Sequence, residues 1–184
     1  MPLISSDSPL YFLTSVTKDR LPVFRTEAMK RILANALIEA RSSAGIMIFA
    51  YVIMADHYHV ITDSSRKPSD VLRYLNGISA RRIINHLKEN GYQSSLDKLR
   101  KEEGSREYRY SLWQHHSNTF IITSESKAIE KANYIHFNPV EEGMAESPAD
   151  YAFSSFRYWA NQSLLDDEPL KVDIEHLDWH NGRA

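Results

Sequence analysis

The sequence predicts an α+β fold, a sandwich in which helices pack on one antiparallel sheet. Three observations carry this. Two long segments have apolar stripes or helix boundary signals of a kind that strands lack. Segments rich in β-branched and aromatic residues separate them. The elements alternate as β, α, β, β, α, β, α along the chain, the order of an α+β sandwich.

Leu10 to Thr17 (LYFLTSVT) has strand composition. Thr26 is placed to cap a helix running to about Ser43, whose apolar positions Met29, Ile32, Leu33, Ala36, Leu37 and Ala40 recur at the helical period. Gly45 stops it. Ile46 to Met54 (IMIFAYVIM) is an unbroken apolar run of the kind a central strand carries, and His57 to Asp63 (HYHVITD) continues as, or turns into, a second strand. Ser64 to Ser69 is a loop. Ser69 can cap a helix from Asp70 to about Asn90, with Gly91 as its stop. Gln93 to Glu107 is polar and charged, an exposed excursion, and Tyr108 to Gln114 (YRYSLWQ) is expected as a strand. Ser124 caps a helix that reaches Tyr134 and is expected to end near Asn138, because Pro139 disfavours helical geometry in the residue before it. These elements form one domain, 1–160. Residues 161–184, with the acidic cluster Asp166, Asp167 and Glu168, are expected as a loosely attached tail.

Composition narrows the chemistry. Of 184 residues, 42% are hydrophobic and 25% charged, ordinary for a globular protein with a core of its own. The absence of cysteine excludes disulfides, thiolate metal sites and cysteine nucleophiles, and fits a cytoplasmic location. No basic-then-apolar leader opens the chain, and the apolar run Ile46–Ala55 is too short to span a bilayer, so no membrane association is expected. A net charge of −2 with a pI near 6.4 argues, taken alone, against nucleic acid, so any such function must rest on local chemistry.

Two constellations stand out. His57 and His59 flank Tyr58. Residues two apart on a strand share a face, so two imidazoles can converge on one metal ion while Tyr58 packs on the other side. Read alone, the pair is better explained as two ordinary half-exposed histidines, since such pairs are common. Tyr134 and Asn138 stand one helical turn apart, so a phenol and an amide oxygen face the same place, a nucleophile beside a third metal ligand. Read alone, this is better explained as a helix terminus, Asn before Pro, with Tyr134 in the core. His136 lies on a different helix face from Tyr134 and is not counted as a ligand.

Taken together and in order, Met54–Val60 (MADHYHV), Trp113-Gln114, Tyr134–Val140 (YIHFNPV) with Gly143, and Tyr151–Ser155 (YAFSS) resemble the single-tyrosine HUH transposases, most of all the REP-associated tyrosine transposases. The resemblance runs from about Leu10 to Ser155. It implies a ferredoxin-like sheet, His57, His59 and Asn138 as ligands of a divalent cation, Mg2+ or Mn2+, and Tyr134 as nucleophile. It also implies a covalent 5′-phosphotyrosine intermediate on single-stranded, hairpin-containing DNA. The chain departs from the family at Ala55, where proline is common, and at Tyr58, where an aliphatic residue is common. The alternative is a catalytically silent DNA-binding protein of the same fold; a hydrolase using activated water is a third reading. Oligomeric state is left open between monomer and homodimer.

For DNA contacts the candidates are Arg73, Arg81 and Arg82 on the second helix, and Tyr108 and Arg109, where aromatic and basic residues interleave as in single-strand binders. A solvated helix face accounts equally well for the arginines, a plain strand for the tyrosine, and core packing is the expected role of Trp113. His115 and His116 are polar residues near the presumed cleft.

Overall fold

A computed structural model of the chain describes residues 4–103, 107–160 and 168–177, with backbone only at 102, 103 and 107–109. Four strands, β1 (Leu10–Val16), β2 (Ile48–Ile53), β3 (His57–Thr62) and β6 (Asn118–Ile122), form an antiparallel sheet in the order β2-β3-β1-β6. Two more, β4 (Arg100–Glu103) and β5 (Glu107–Tyr110), pair as a separate hairpin. The helices are α1 (Glu27–Ala44), α2 (Pro68–Glu89), α3 (Gln93–Leu99), α4 (Glu125–Glu141) and the short α5 (Phe156–Trp159). The antiparallel pair α1 and α2 covers one sheet face, and α4 lies on the other, across β2 and β3. The α+β sandwich and its ferredoxin-like sheet are thus present. Among the described residues, no helix is long and apolar enough to cross a membrane.

Local chemistry sets the elements. Thr26 Oγ1 accepts from the Met29 amide at 3.3 Å to start α1, and Gly45 ends it at φ +62°, a left-handed cap that costs glycine nothing. Pro68 opens α2 at a position whose N–H would have no helical partner. In β3, successive side chains alternate faces: His57 and His59 point to the α4 side. Tyr58 points to the α1–α2 side, fully buried, with its hydroxyl donating to Asn76 Oδ1 at 2.8 Å and its ring edge-on to Trp113. Trp113 packs in the core and donates from its indole to Ser79 Oγ.

The structure corrects several expectations, among them the start of α2, which lies at Pro68 with Lys67 before it rather than at a Ser69 cap. The fourth strand of the sheet is Asn118–Ile122, not Tyr108–Gln114. The latter stretch leaves the hairpin after Tyr110 and is tied to the end of β1 by a bridge from Trp113 to Thr17. Helix α4 carries Pro139 inside and runs on to Glu141. Its last turn survives because the amides of Glu142 and Met144 bond to the Asn138 and Pro139 carbonyls, and Pro139 is itself buried. The excursion after α2 holds a short helix, α3, pinned by buried Leu96 and Leu99.

Another correction concerns β2. All six of its residues are buried, as in a central strand, yet β2 is an edge strand. Its outer edge is covered by the chain's own downstream segment. The Ile53 amide donates to the Phe153 carbonyl at 2.9 Å and the Ser155 amide to the Tyr51 carbonyl at 3.0 Å, while Ser155 Oγ accepts from the Tyr51 amide. Further along, the Asp173 carboxylate accepts from the Ile48 amide at 2.9 Å and from Arg41, and Leu170 and Val172 are buried. Residues 168–177 are therefore docked on the sheet rather than loosely attached; Asp166 and Asp167 lie outside the described residues.

Candidate active site

The site forms where α4 crosses the sheet. The register of β1 against β3 sets Thr14 opposite His59 and Val16 opposite His57, all on the α4 side. His57 and His59 are both buried, with ring centroids 4.9 Å apart. They are not half-exposed surface histidines. Each ring is fixed through its Nδ1. His57 Nδ1 donates to Asp56 Oδ1 at 2.6 Å, and Asp56 in turn pairs with Arg20 at 3.1 Å. His59 Nδ1 lies 2.7 Å from Thr14 Oγ1, to which it donates in the tautomer that leaves Nε2 bare. Arg20 and the preceding Asp19 sit at φ 52° and 53°, a left-handed pair of non-glycine residues that bends the loop after β1 back over Asp56.

The Nε2 atoms face α4. His57 Nε2 lies 3.3 Å from Asn138 Oδ1. His59 Nε2 is buried and has no hydrogen-bond partner. An orphaned buried nitrogen costs about 1–3 kcal/mol. Burial, with a smaller contribution from His57, pushes the His59 pKa down to about 3, so the ring stays neutral and keeps its lone pair. The His57 nitrogen and the Asn138 oxygen meet beside the His59 ring, whose centroid is 4.9 Å from that of His57, and the outer nitrogens of the two rings are held by a carboxylate and a hydroxyl, the arrangement that orients histidine ligands. This donor set fits a divalent cation. Among the described residues, no three His, Asp or Glu side chains cluster, so Asn138 or water has to complete such a site.

Tyr134 stands one turn before Asn138, and the helix that buries Asn138 leaves Tyr134 44% exposed. The phenol is not a core residue. Its ring is edge-on to His59 at 5.4 Å and to Phe12 at 6.0 Å, and Phe12 stacks on His59 at 5.2 Å. His136 turns the other way. It is 2% exposed, with Nε2 2.9 Å from Ser155 Oγ and its ring edge-on to Phe156 and Trp159; burial pushes its pKa down to about 3.

The structure thus brings together His57, His59, Tyr134 and Asn138. It does not bring Arg81 and Arg82 to them. Both lie on α2, across the sheet from α4, paired with Glu39 at 3.2 and 2.7 Å. Arg73 is on the same helix, exposed and near Asp70. The side chains of Tyr108 and Arg109 lie outside the described residues. A separate cavity of about 400 Å³, lined in part by Arg25, Met29, His86, Tyr92 and Lys98, opens between α1, α2 and α3 and does not reach Tyr134. Sequence reasoning missed Thr14, Asp56 and Phe12. Only Asp56 was within reach, as an acid directly before a candidate ligand.

A buried histidine pair on the sheet thus faces a solvent-accessible tyrosine on a crossing helix. Residues 7–136, well over half of the chain, match the family described as Transposase IS200 like, and the chain belongs to it. A Haemophilus influenzae protein assigned as a REP-associated tyrosine transposase is 24% identical over 173 residues, covering 92% of this chain and 86% of that one. Among solved structures, a REP-associated tyrosine transposase bound to a REP hairpin superposes with a TM-score of 0.62. It is 18% identical, with 95% of this chain and 90% of that chain covered, a likeness that bears on the fold.

Proposed function

We propose that the chain is a metal-dependent single-strand DNA endonuclease and strand transferase that acts in the cytoplasm on hairpin-containing repetitive DNA through a covalent link to Tyr134. The observation that carries this is the exposed Tyr134 phenol beside the nitrogens of His57 and His59 and the Asn138 oxygen. Membership of a transposase family supports the class of reaction, and the hairpin on the solved structural neighbour supports the choice of substrate.

The Tyr134 oxygen attacks the scissile phosphorus. A phenolic P–O bond forms, the bond from phosphorus to the 3′ oxygen breaks, and the departing oxygen takes up a proton as the phenol loses its own. The ester keeps the bond energy, so a DNA 3′ hydroxyl reverses the step and rejoins a strand. Asp56 and Thr14 hold the imidazoles with their Nε2 atoms toward the phosphate. Phe12 and His59 wall the phenol on its sheet side. His57, His59 and Asn138 would hold a divalent cation, magnesium or manganese, which when bound would supply polarisation of the phosphoryl oxygen and offset the negative charge that otherwise repels an incoming phenolate.

The test uses hairpin DNA labelled on either side of the nick, with manganese, on denaturing gels. The 3′-side fragment is expected to run at protein mass and the 5′-side fragment to run free with an extendable 3′ hydroxyl. Tyr134→Phe, which removes only the hydroxyl, should form no adduct. An adduct with Tyr134→Phe, or capture of the 5′-side fragment, refutes the assignment.

A further inference from the structure

Strand β6 is the open edge of the sheet, and Phe120 on it is 42% exposed. An exposed phenylalanine on an edge strand is a sticking hazard that proteins ordinarily avoid. Its placement is specific. Phe120 is the register partner of Phe12, so both rings stand on the α4 side of the sheet, and Phe12 is the residue edge-on to Tyr134. Lys131, one turn before Tyr134 on α4, holds its ammonium 4.8 Å from the Phe120 ring centroid and 5.5 Å from that of Phe12. Glu130 pairs with Lys127 at 2.6 Å through one carboxylate oxygen and with Lys131 at the longer distance of 3.7 Å through the other. A half-buried cation and an exposed aromatic face therefore adjoin the nucleophile on the side away from Asn138.

We propose that Phe120 and Lys131 form a nucleotide subsite beside the scissile phosphate, the Phe120 ring stacking a base of the single-stranded DNA tail and Lys131 pairing with that nucleotide's phosphate. Stacking on a phenyl face tolerates any base, and one ammonium neutralises one phosphate. The subsite supplies what the net charge of −2 does not: a local grip on a single strand at the point of chemistry. It rests on the reading that Tyr134 acts on single-stranded DNA.

The test is equilibrium binding, made in Tyr134→Phe protein so that no chemistry intervenes. The probes are a fluorescein-labelled DNA hairpin with single-stranded tails on both sides, the same hairpin without tails, and a series with one abasic site at successive tail positions. Phe120→Leu keeps apolar bulk on the strand but removes the aromatic face. It should weaken the tailed hairpin about tenfold and leave the tailless one unchanged. One abasic position should reproduce that loss in the parent protein and add nothing in Phe120→Leu. Lys131→Gln should flatten the salt dependence of binding by about 0.7 in slope, and Lys131→Arg should restore it. Equal affinity of Phe120→Leu and parent for the tailed hairpin, or an abasic penalty that adds fully to the substitution, overturns the subsite while leaving the DNA reading intact. If the parent protein binds none of the probes, the DNA reading falls and the subsite with it.

Discussion

His136 sits two residues from Tyr134, the nucleophile proposed above, in a segment that reads Tyr-Ile-His, and its role separates a core histidine from a member of the proposed reactive centre. The structure makes it a core residue, buried and bonded to Ser155, with its pKa pushed down to about 3 by loss of solvent. An unfolded histidine titrates near 6.5. The unfolded chain therefore takes up a proton at mildly acid pH that the native state refuses. Stability is complete above pH 6.5 and is lost progressively as pH falls from 6.5 toward 3. At pH 5 the unfolded ring gains RT ln(1 + 10^1.5) and the native ring almost nothing, so this one residue costs about 2 kcal/mol relative to pH 8. His136→Gln keeps an amide to bond Ser155 but cannot titrate. Urea unfolding of both proteins at pH 8 and pH 5 isolates the effect, because every other titrating group cancels in the difference. The advantage of wild type over His136→Gln at pH 8 should shrink or reverse by about 2 kcal/mol at pH 5. A difference that does not move with pH would mean that His136 is solvated or charged in the native state, and the packing described for α4 would be wrong.

Three further outcomes follow from the same geometry. Manganese at a hundredfold excess over its dissociation constant should stabilise the wild type by about 2.7 kcal/mol, a rise in Tm of about 5 °C or more, and should not shift the His57→Ala, His59→Ala double variant; an equal shift in both removes the metal from this site. Asp56→Asn should weaken metal binding by calorimetry about ten- to a hundredfold without loss of fold, since it loosens the His57 ring rather than removing a ligand; unchanged affinity would make Asp56 a partner of Arg20 and nothing more. Leu170→Ala should cost about 2–5 kcal/mol in denaturant melts because the side chain is wholly buried against β2, whereas a change near zero would mean the docked segment is not part of the cooperative fold.

Much of this was legible in the residues. The helical stripe and its Thr26 cap gave α1, and period-two alternation put His57 and His59 on one face with Tyr58 on the other. Helical spacing put Tyr134 and Asn138 together. What could not be read depends on pairing between distant segments. Asn118–Ile122 has four exposed residues out of five and so lacks the alternation that marks a strand, while Tyr108–Tyr110 has strand composition without belonging to the main sheet. Ile48–Ile53 looks central because burial, not position in the sheet, selects apolar residues. Thr14 becomes a partner of His59 only through a register that no local pattern encodes. Arg81 and Arg82 read as a phosphate-binding pair until the sheet is seen to lie between them and Tyr134.

The cover on β2 also fixes an order of events in building the molecule. The strand is made early, and the groups that close its edge, from Phe153 to Asp173, are made about a hundred residues later. Until they emerge from the ribosome, six consecutive apolar residues carry unpaired amides and carbonyls along one side, the kind of edge on which nascent chains pair wrongly. Helix α4 arrives first and buries the flank of β2, but it cannot satisfy that edge. The Ser155 hydroxyl then meets both the Tyr51 amide and the His136 ring, so edge closure and the seating of the tyrosine-bearing helix are completed by the same late contact. A chain halted before that point holds His57, His59, Tyr134 and Asn138 and has no finished sheet to hold them in place.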